Sequence, residues 1–441
     1  MRSHAPRRND VPKARTFVEL RIEKMVQGGE GLAHLADGRV CFVKNALPGE
    51  LCKVMLTLQK KDFTRGSAVE ILEASADRVK PKCPLYGKCG GCSLQHLASE
   101  KQAEYLETVE RENFRRLAHA ELPTDFVIHT GNAWGYRNRA RVVYSGNRRN
   151  PESPCFAFRE QESDRLTPFE KCPVLTDGLN QFLKGTLKNL LEKSAANRAL
   201  PRDLDINVFD NGDGQVSFYY RGMNHESFLK NSISIVKIGG CEIEADASVF
   251  FQSNLNLLPE LVNAVRNAVD EGIANGEASD EWLIDLFSGV GFFAAMLRDR
   301  FKKITTVERD DGCLKHAKVN LSATWPQTAQ QPSSQNSQSL AAAQPQVENV
   351  SAPAEEWLVQ NVVDVPATLI VDPPRTGLPP EALDAIVKSS VNRLIYVSCD
   401  PVTLARDYAK FASAGFSLKH AEGFAFYPQT PHLEMMFVLS R

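Results

Sequence analysis

The sequence predicts an α/β protein: a doubly wound carboxy-terminal sheet behind a small β-barrel and a mixed, strand-rich middle. Three observations predict it. After residue 247 four apolar runs, "EWLIDLF", "KKITTVE", "ATLIVD" and "RLIYVS", alternate with helix-spaced stretches, the pattern of a parallel sheet covered on both faces. Residues 16–72 break instead into short strands at Gly-rich turns. A chain of 441 residues is also long for one core, so roughly two or three domains are expected. The composition shifts put them at 14–74, 75–246 and 247–441.

In the first domain "TFVELRIEKMV", "LAHLADGRVCFVKNAL", "LCKVMLTLQK" and "FTRGSAVEIL" are strand-like. The turns "QGGEG" and "PGE" lie between them, the spacing of a small antiparallel barrel. In the second, "GYRNRARVVYSG" reads as a strand and "DINVFDNGDGQVSFYYRG" as a hairpin. In the third, "LLPELVNAVRNAVDEG" is an amphipathic helix. Residues 323–353 are rich in Gln, Ser, Ala and Pro, with little charge or apolar period. They read as a disordered surface insertion between a helix and the next strand.

Hydrophobic content of 43% and charged content of 24% are ordinary for a soluble globular protein. No apolar run is long enough to span a membrane. "MRSHAPRRND" is basic but lacks the apolar core of a signal peptide, so a cytoplasmic location with reduced thiols is expected. Ten cysteines then read as ligands, nucleophiles or core residues. The net charge of −2 hides an asymmetry, +9 over residues 1–150 and −11 over the rest. That suits a polyanion held by one part and worked on by another, or two differently solvated domains.

"CPLYGKCGGCSLQH" places Cys83, Cys89 and Cys92 close together, with Gly90 and Gly91 allowing a tight turn. A fourth ligand would come from Cys172 in "EKCPVL", with Cys155 as its rival. Zinc and an iron–sulfur cluster both fit thiolates. Three close thiols plus a distant one favour [4Fe–4S] over the paired pattern of zinc.

"LIDLFSGVGFFAAML" is a strand, a Gly-turn and a helix start, with Gly289 and Gly291 permitting close approach of a ligand. Glu308 ends the next strand 19 residues after Gly289, where a carboxylate can take ribose hydroxyls. The third glycine of a dinucleotide fingerprint is missing, which favours S-adenosylmethionine (SAM) over NAD. "LIVDPPRTGL" holds Asp372 at the sheet's carboxyl edge beside a stiff Pro-Pro ledge. "VSCDPVTLARD" puts Cys399 between a strand and a helix, where it could be buried filler, ligand or nucleophile.

Taken together, "FFQSN", "DLFSGVG", "VERD", "DPPRTG", "VSCDPVTLARD" and "HLE" resemble, in order, the motifs of the RNA uracil-C5 methyltransferases. "CPLYGKCGGCSLQH" resembles the iron–sulfur signature of that family's ribosomal-RNA members, and residues 16–72 their TRAM domain, an OB-like RNA-binding barrel. The resemblance covers nearly the whole chain outside 323–353. It implies a Rossmann-like SAM-dependent methyltransferase domain, with Cys399 as nucleophile and Glu434 as general base. Gln252, Phe287, Glu308 and Asp372 match SAM-site positions, and Asn361 matches another. Cys83, Cys89, Cys92 and Cys172 match the cluster ligands. Where ribosomal-RNA relatives often carry Asn in the Gly-turn, this chain has Phe292.

The chemistry needs these groups. A thiolate added to carbon 6 of uracil turns the ring into an enolate that attacks a methyl sulfonium from carbon 5; a carboxylate then removes the carbon 5 proton. A thiol at a helix start is expected to have a lowered pKa. The target base must leave its stack to enter such a pocket. "WGYRNRARVVY" alternates Arg137, Arg139 and Arg141 on one strand face, with Trp134 and Tyr136 as stacking candidates for RNA. A cytosine-C5 enzyme would carry a second Cys after the proline where this chain has "DPPR". A non-catalytic RNA-binding protein would have no use for Cys399 and Glu434. Transfer-RNA members in bacteria usually lack barrel and cluster, so the expected substrate is 23S ribosomal RNA, bound by a monomer that needs no membrane.

Overall fold

A computed structural model describes residues 16–146, 154–196, 203–223, 230–322 and 344–441. The amino-terminal sheet has six strands in the order Phe17–Arg21, Leu51–Gln59, Phe63–Glu73, Val40–Lys44, Gly31–His34, Lys24–Met25. Its two edge strands are separated in sequence only by Ile22 and Glu23, so the sheet curls until its edges meet. Alternation does the sorting: Cys41 and Val43 point inward from one strand, Cys52 and Val54 from another, onto Leu20, Ile22, Ala33 and Ala46. The expected antiparallel pattern holds except for Val40–Lys44 and Phe63–Glu73, which pair in parallel.

A second sheet, antiparallel throughout, has the order Leu166–Pro168, Cys155–Arg159, Arg139–Ser145, Asp203–Asp210, Val216–Tyr220. The last two strands are the hairpin read from "DINVFDNGDGQVSFYYRG". Ile233–Ile238 and Cys241–Asp246 form a separate hairpin before the carboxy-terminal domain.

The third sheet has eight strands: Gln346–Ser351, Lys303–Glu308, Trp282–Leu286, Ala367–Val371, Val391–Ser398, Glu434–Ser440, Ser417–Phe424 and Val127–His129. The first five run parallel, and Glu434–Ser440 runs against its neighbours on both sides. All five residues of Ala367–Val371 are buried, as expected for a strand covered on both faces. Leu258–Ala274 and Phe292–Met296 pack on one face. Ala354–Gln360, Pro380–Lys388 and Pro401–Ser413 pack on the other. The topological switch lies between Trp282–Leu286 and Ala367–Val371, where ligands bind at strand carboxyl ends.

Two elements depart from the sequence reading. Residues 346–351, placed in the disordered insertion, form the edge strand beside Lys303–Glu308, in register from Lys303↔Gln346 to Glu308↔Ser351. "QVENVS" lacks an apolar run because an edge strand has one open side. Residues 323–343 of that insertion lie outside the described residues. The second departure is Gln102–Ala118 with Val127–His129, which fall in the middle domain by sequence but dock on the carboxy-terminal sheet. Leu106, Phe114, Phe126 and Ile128 share a core with Leu404, Phe411, Met435 and Phe437, and Val127–His129 pairs with Glu422–Phe424. The middle domain is therefore discontinuous. Among the described residues no helix is long and apolar enough to cross a membrane.

Candidate active site

Cys399 follows directly on Val391–Ser398, and Glu434 opens the antiparallel neighbour Glu434–Ser440, with Ser398 opposite Met435. The two sequence candidates, 35 positions apart, thus meet at one end of one strand pair. Cys399 lines a cavity of about 170 Å³ with Gln27, Gly28, Arg375, Asp400, Pro401, Pro431, His432 and Leu433.

Electrostatics couple the groups. Burial, then the Glu434 and Asp372 carboxylates, pushes the Cys399 thiol up to about 11, with the Arg375 cation opposing. The expected lowering by the helix start is not found. Burial and the facing carboxylates outweigh it, and the Asp400 side chain takes the first free amides of Pro401–Ser413, those of Val402 and Thr403, at 3.0 Å. Glu434 is 5% exposed, and burial followed by Asp372 raises it to about 8. Burial raises Asp372 to about 7. The Asp372 charge disfavours ionisation of Glu434, so the two carboxyls titrate together rather than independently.

The loop carrying Asp372 is locked to the thiol's helix. Asp407 is buried; its Oδ2 accepts from the Leu378 amide at 2.9 Å and from the Tyr396 hydroxyl at 2.8 Å. Gly377 has φ +74°, and a Cβ there would stand 2.7 Å from that same oxygen. The glycine of "DPPRTG" and the aspartate of "TLARD" are thus one device, which sequence reading did not detect. A buried charge in an apolar helix face was the available signal.

The Gly-turn follows Trp282–Leu286 at the carboxyl edge of the sheet, beside the topological switch, where a crevice for a ligand is expected. Phe287 sits at φ +58°, rare for a bulky residue and characteristic of functional strain. Glu308 is fixed by the Gly289 amide on one oxygen, at 2.9 Å, and by the Asp310 amide on the other, at 2.8 Å. Gly291 has φ +73°, and a Cβ there would press on Ala317 at 3.1 Å. Buried polar atoms without a protein partner gather on the same elements: Gln252 Oε1, Asp285 Oδ1 and Ser288 Oγ. Asp285 is a residue the sequence reading passed over, although a carboxylate inside "LIDLF" marked it. Burial pushes it up to about 8. These acceptors and the fixed Glu308 fit a ligand bearing an ammonium and a ribose.

Asn361 is not brought to this crevice. It terminates Ala354–Gln360, which runs back from the carboxyl edge of the sheet, and its amide caps Trp357 O of its own helix at 2.8 Å. It lines a cavity with Lys388 and Ser389, at the end of Pro380–Lys388, on the opposite side of the sheet. The crevice side of that connection is Ser351–Pro353, whose Ala352 amide bonds Glu308 O at 3.2 Å.

Cys83, Cys89, Cys92 and Cys172 line a single cavity of about 380 Å³, while Cys155 lines a different one with Phe156 and Phe169. Gly90 is required here: a Cβ would sit 3.2 Å from Arg159 O, the acceptor of its own amide. Asn180 clamps Cys172 through both its amide and carbonyl, at 2.9 and 3.0 Å. Burial, and then mainly the neighbouring thiols, raises Cys92 to about 12. Among the described residues, no three His, Cys, Asp or Glu side chains stand close enough together to hold a metal ion as they are.

The expected RNA strand is largely structural. Tyr136 is buried, and its hydroxyl donates to Pro428 O at 2.9 Å. Arg139 donates to Asp246 O, Ala247 O and Val249 O and lies over the Phe209 ring at 4.4 Å. Arg141 pairs with Asp205, and Arg137 faces the cysteine cavity. Trp134 stays partly exposed under Lys82.

Residues 247–441 match the family model described as tRNA (Uracil-5-)-methyltransferase. An uncharacterized RNA methyltransferase of Thermotoga maritima is 27% identical, over 96% of this chain and 98% of its own. The 23S rRNA (uracil(1939)-C(5))-methyltransferase of Shewanella sediminis is 29% identical, over 95% of each. Among solved structures, the Pyrococcus abyssi tRNA (uracil-54, C5)-methyltransferase in complex with S-adenosyl-L-homocysteine superposes with a TM-score of 0.67, at 20% identity, over 96% of this chain and 99% of that one. The carboxy-terminal residues 247–441 belong to the RNA uracil-C5 methyltransferase family, whose members are SAM-dependent enzymes.

Proposed function

We propose that this enzyme methylates carbon 5 of a uridine in 23S ribosomal RNA through a covalent Cys399 adduct. The observation that carries the reading is the strand pair that brings Cys399 and Glu434 to one end. The Cys399 thiolate adds to carbon 6, and the electron pair moves onto the carbon 5–carbonyl system. SAM supplies the methyl group, which carbon 5 takes. Glu434 then accepts the carbon 5 proton, the double bond re-forms, and the carbon–sulfur bond breaks to return the thiolate. Gln252, Phe287, Glu308 and Asp372 border the cofactor, and the turn at Ser351–Pro353 replaces Asn361 in that role. The raised Glu434 carboxyl makes its anion a stronger base than an exposed glutamate, and Arg375 opposes the negative charge around the thiol.

Two variants separate the roles. Cys399→Ala should abolish methyl transfer. Glu434→Gln should stall after methylation and accumulate a denaturation-resistant protein–RNA adduct carrying label from methyl-labelled SAM. Near-normal turnover by Cys399→Ala would remove the thiol from the mechanism.

We assign residues 14–74 to a TRAM barrel and Cys83, Cys89, Cys92 and Cys172 to a [4Fe–4S] site. The four thiols are half-buried around one cavity, and burial followed by neighbouring thiols raises Cys89, Cys92 and Cys172, which suits a cation that reverses that repulsion. The role is structural: Ser93 and Leu94, directly after Cys92, donate backbone amides to Gln429 O at 3.0 and 2.9 Å, in the loop that leads to Glu434. Ribosomal RNA as substrate rests on the Shewanella relative, and transfer RNA on the Pyrococcus neighbour. Nucleoside mapping of both RNAs from a deletion strain decides between them.

A further inference from the structure

We propose that Gln27, on a turn of the amino-terminal barrel, donates a hydrogen bond to a carbonyl oxygen of the target pyrimidine. The inference rests on the reading of Cys399 as the nucleophile. The cavity beside Cys399 is not built by the catalytic domain alone, since Gln27 and Gly28 form part of its wall. The turn is held there. Gly29 has φ +75°, and a Cβ on it would meet Leu94 Cδ2 at 2.9 Å and Pro431 Cβ at 3.3 Å. It is thus wedged between the cysteine-bearing segment and the loop before Glu434.

The amide of Gln27 is oriented as well. Asn113 Nδ2, on Gln102–Ala118, donates to Gln27 Oε1 at 3.0 Å and to Glu110 Oε2 at 3.2 Å. A carboxyl on one side and an amide on the other fix Asn113 as the donor. The Gln27 oxygen is therefore taken, and its NH2 is the group left for an occupant of the cavity. Uracil has two ring carbonyls that accept hydrogen bonds, and addition at carbon 6 increases the charge on the oxygen conjugated with carbon 5. A cavity of about 170 Å³ also leaves room for little more than one such ring. Gln27 is exposed in the absence of RNA, so replacing it does not disturb the core.

The test compares binding of two RNAs that differ only at the target, one with uridine and one with an abasic site. Gln27→Met removes the donors without adding charge. Gln27→Glu keeps the shape and the Asn113 bond but cannot donate when ionised. Both variants should bind uridine RNA about two- to tenfold more weakly, the range of one neutral hydrogen bond. They should bind abasic RNA as wild type does, with SAM affinity unchanged. Equal loss on both RNAs would place the contact on the backbone or a flanking base and overturn the proposal, as would no loss on either. Failure of the parent reading looks different: Cys399→Ala would then methylate, whatever Gln27 does.

Discussion

Burial sets the chemistry at the scale of single residues. Glu434 illustrates the sign. Its folded pKa, about 8, lies above the ordinary 4.5. Its stabilising contribution is complete below pH 4.5 and is lost as pH rises through 8, because the anion is the form that burial penalises. Gln cannot ionise, so Glu434→Gln should match or exceed wild type in stability, with the gap growing from pH 5 to pH 8.5. Across that window the gap should widen by at most about 1.4 kcal/mol per pH unit. Urea unfolding at the two pH values measures it; a gap that shrinks with pH would mean that Glu434 is ionised and well paired. Cys399, Glu434, Glu308 and the cysteine set could be singled out as candidates in the sequence because each departs from the character of its surroundings. Tyr136 and Arg139 were not, because a junction between sheets buries the same alternation that an exposed strand would show to RNA.

Elements show a parallel division. The buried parallel strands announced themselves as apolar runs, since both faces are covered. Gln346–Ser351 did not, and Gln102–Ala118 carries "ETVERENFRR", whose charge concealed the face that packs on Pro401–Ser413. The corrected boundary changes what a deletion should do. Removing 327–343 should leave activity within a few-fold of wild type. Extending the deletion to 351 removes the whole edge strand paired with Lys303–Glu308, together with the Ser351 that bonds Asp311 at 2.9 Å. Glu308 would then lose its neighbour, and SAM affinity should fall at least tenfold. Calorimetric titration with SAM checks both; unchanged affinity of the longer deletion would make the strand dispensable.

At the scale of the whole molecule, the cysteine segment, Gln102–Ala118 and the carboxy-terminal domain share one joint around Gln429, with Gly29 of the barrel packed beside it against Leu94 and Pro431. Gln102 donates to Gln429 Oε1 at 3.1 Å, accepts from the Gln429 amide at 2.9 Å, and lies next to the Ser93 and Leu94 bonds. Four cysteines around one cavity should hold about four irons in anaerobically purified protein. Cys172→Ser should lose the visible absorption, whereas Cys155→Ser, which lines another cavity, should keep it. Stoichiometric zinc without iron would overturn the cluster. None of this joint was legible in the sequence, because its partners lie 327 positions apart and no local period reports them. That separation also governs how the chain is born. A ribosome adding about 5–20 residues per second needs roughly 15–65 s to travel from Gln102 to Gln429. Throughout that interval the apolar face of Gln102–Ala118 has no sheet to cover it. The nascent amino-terminal half must therefore wait, shielded by the ribosome surface or a chaperone, for the last strands to emerge. A messenger truncated before residue 417 would yield an aggregation-prone fragment rather than a free-standing RNA-binding module.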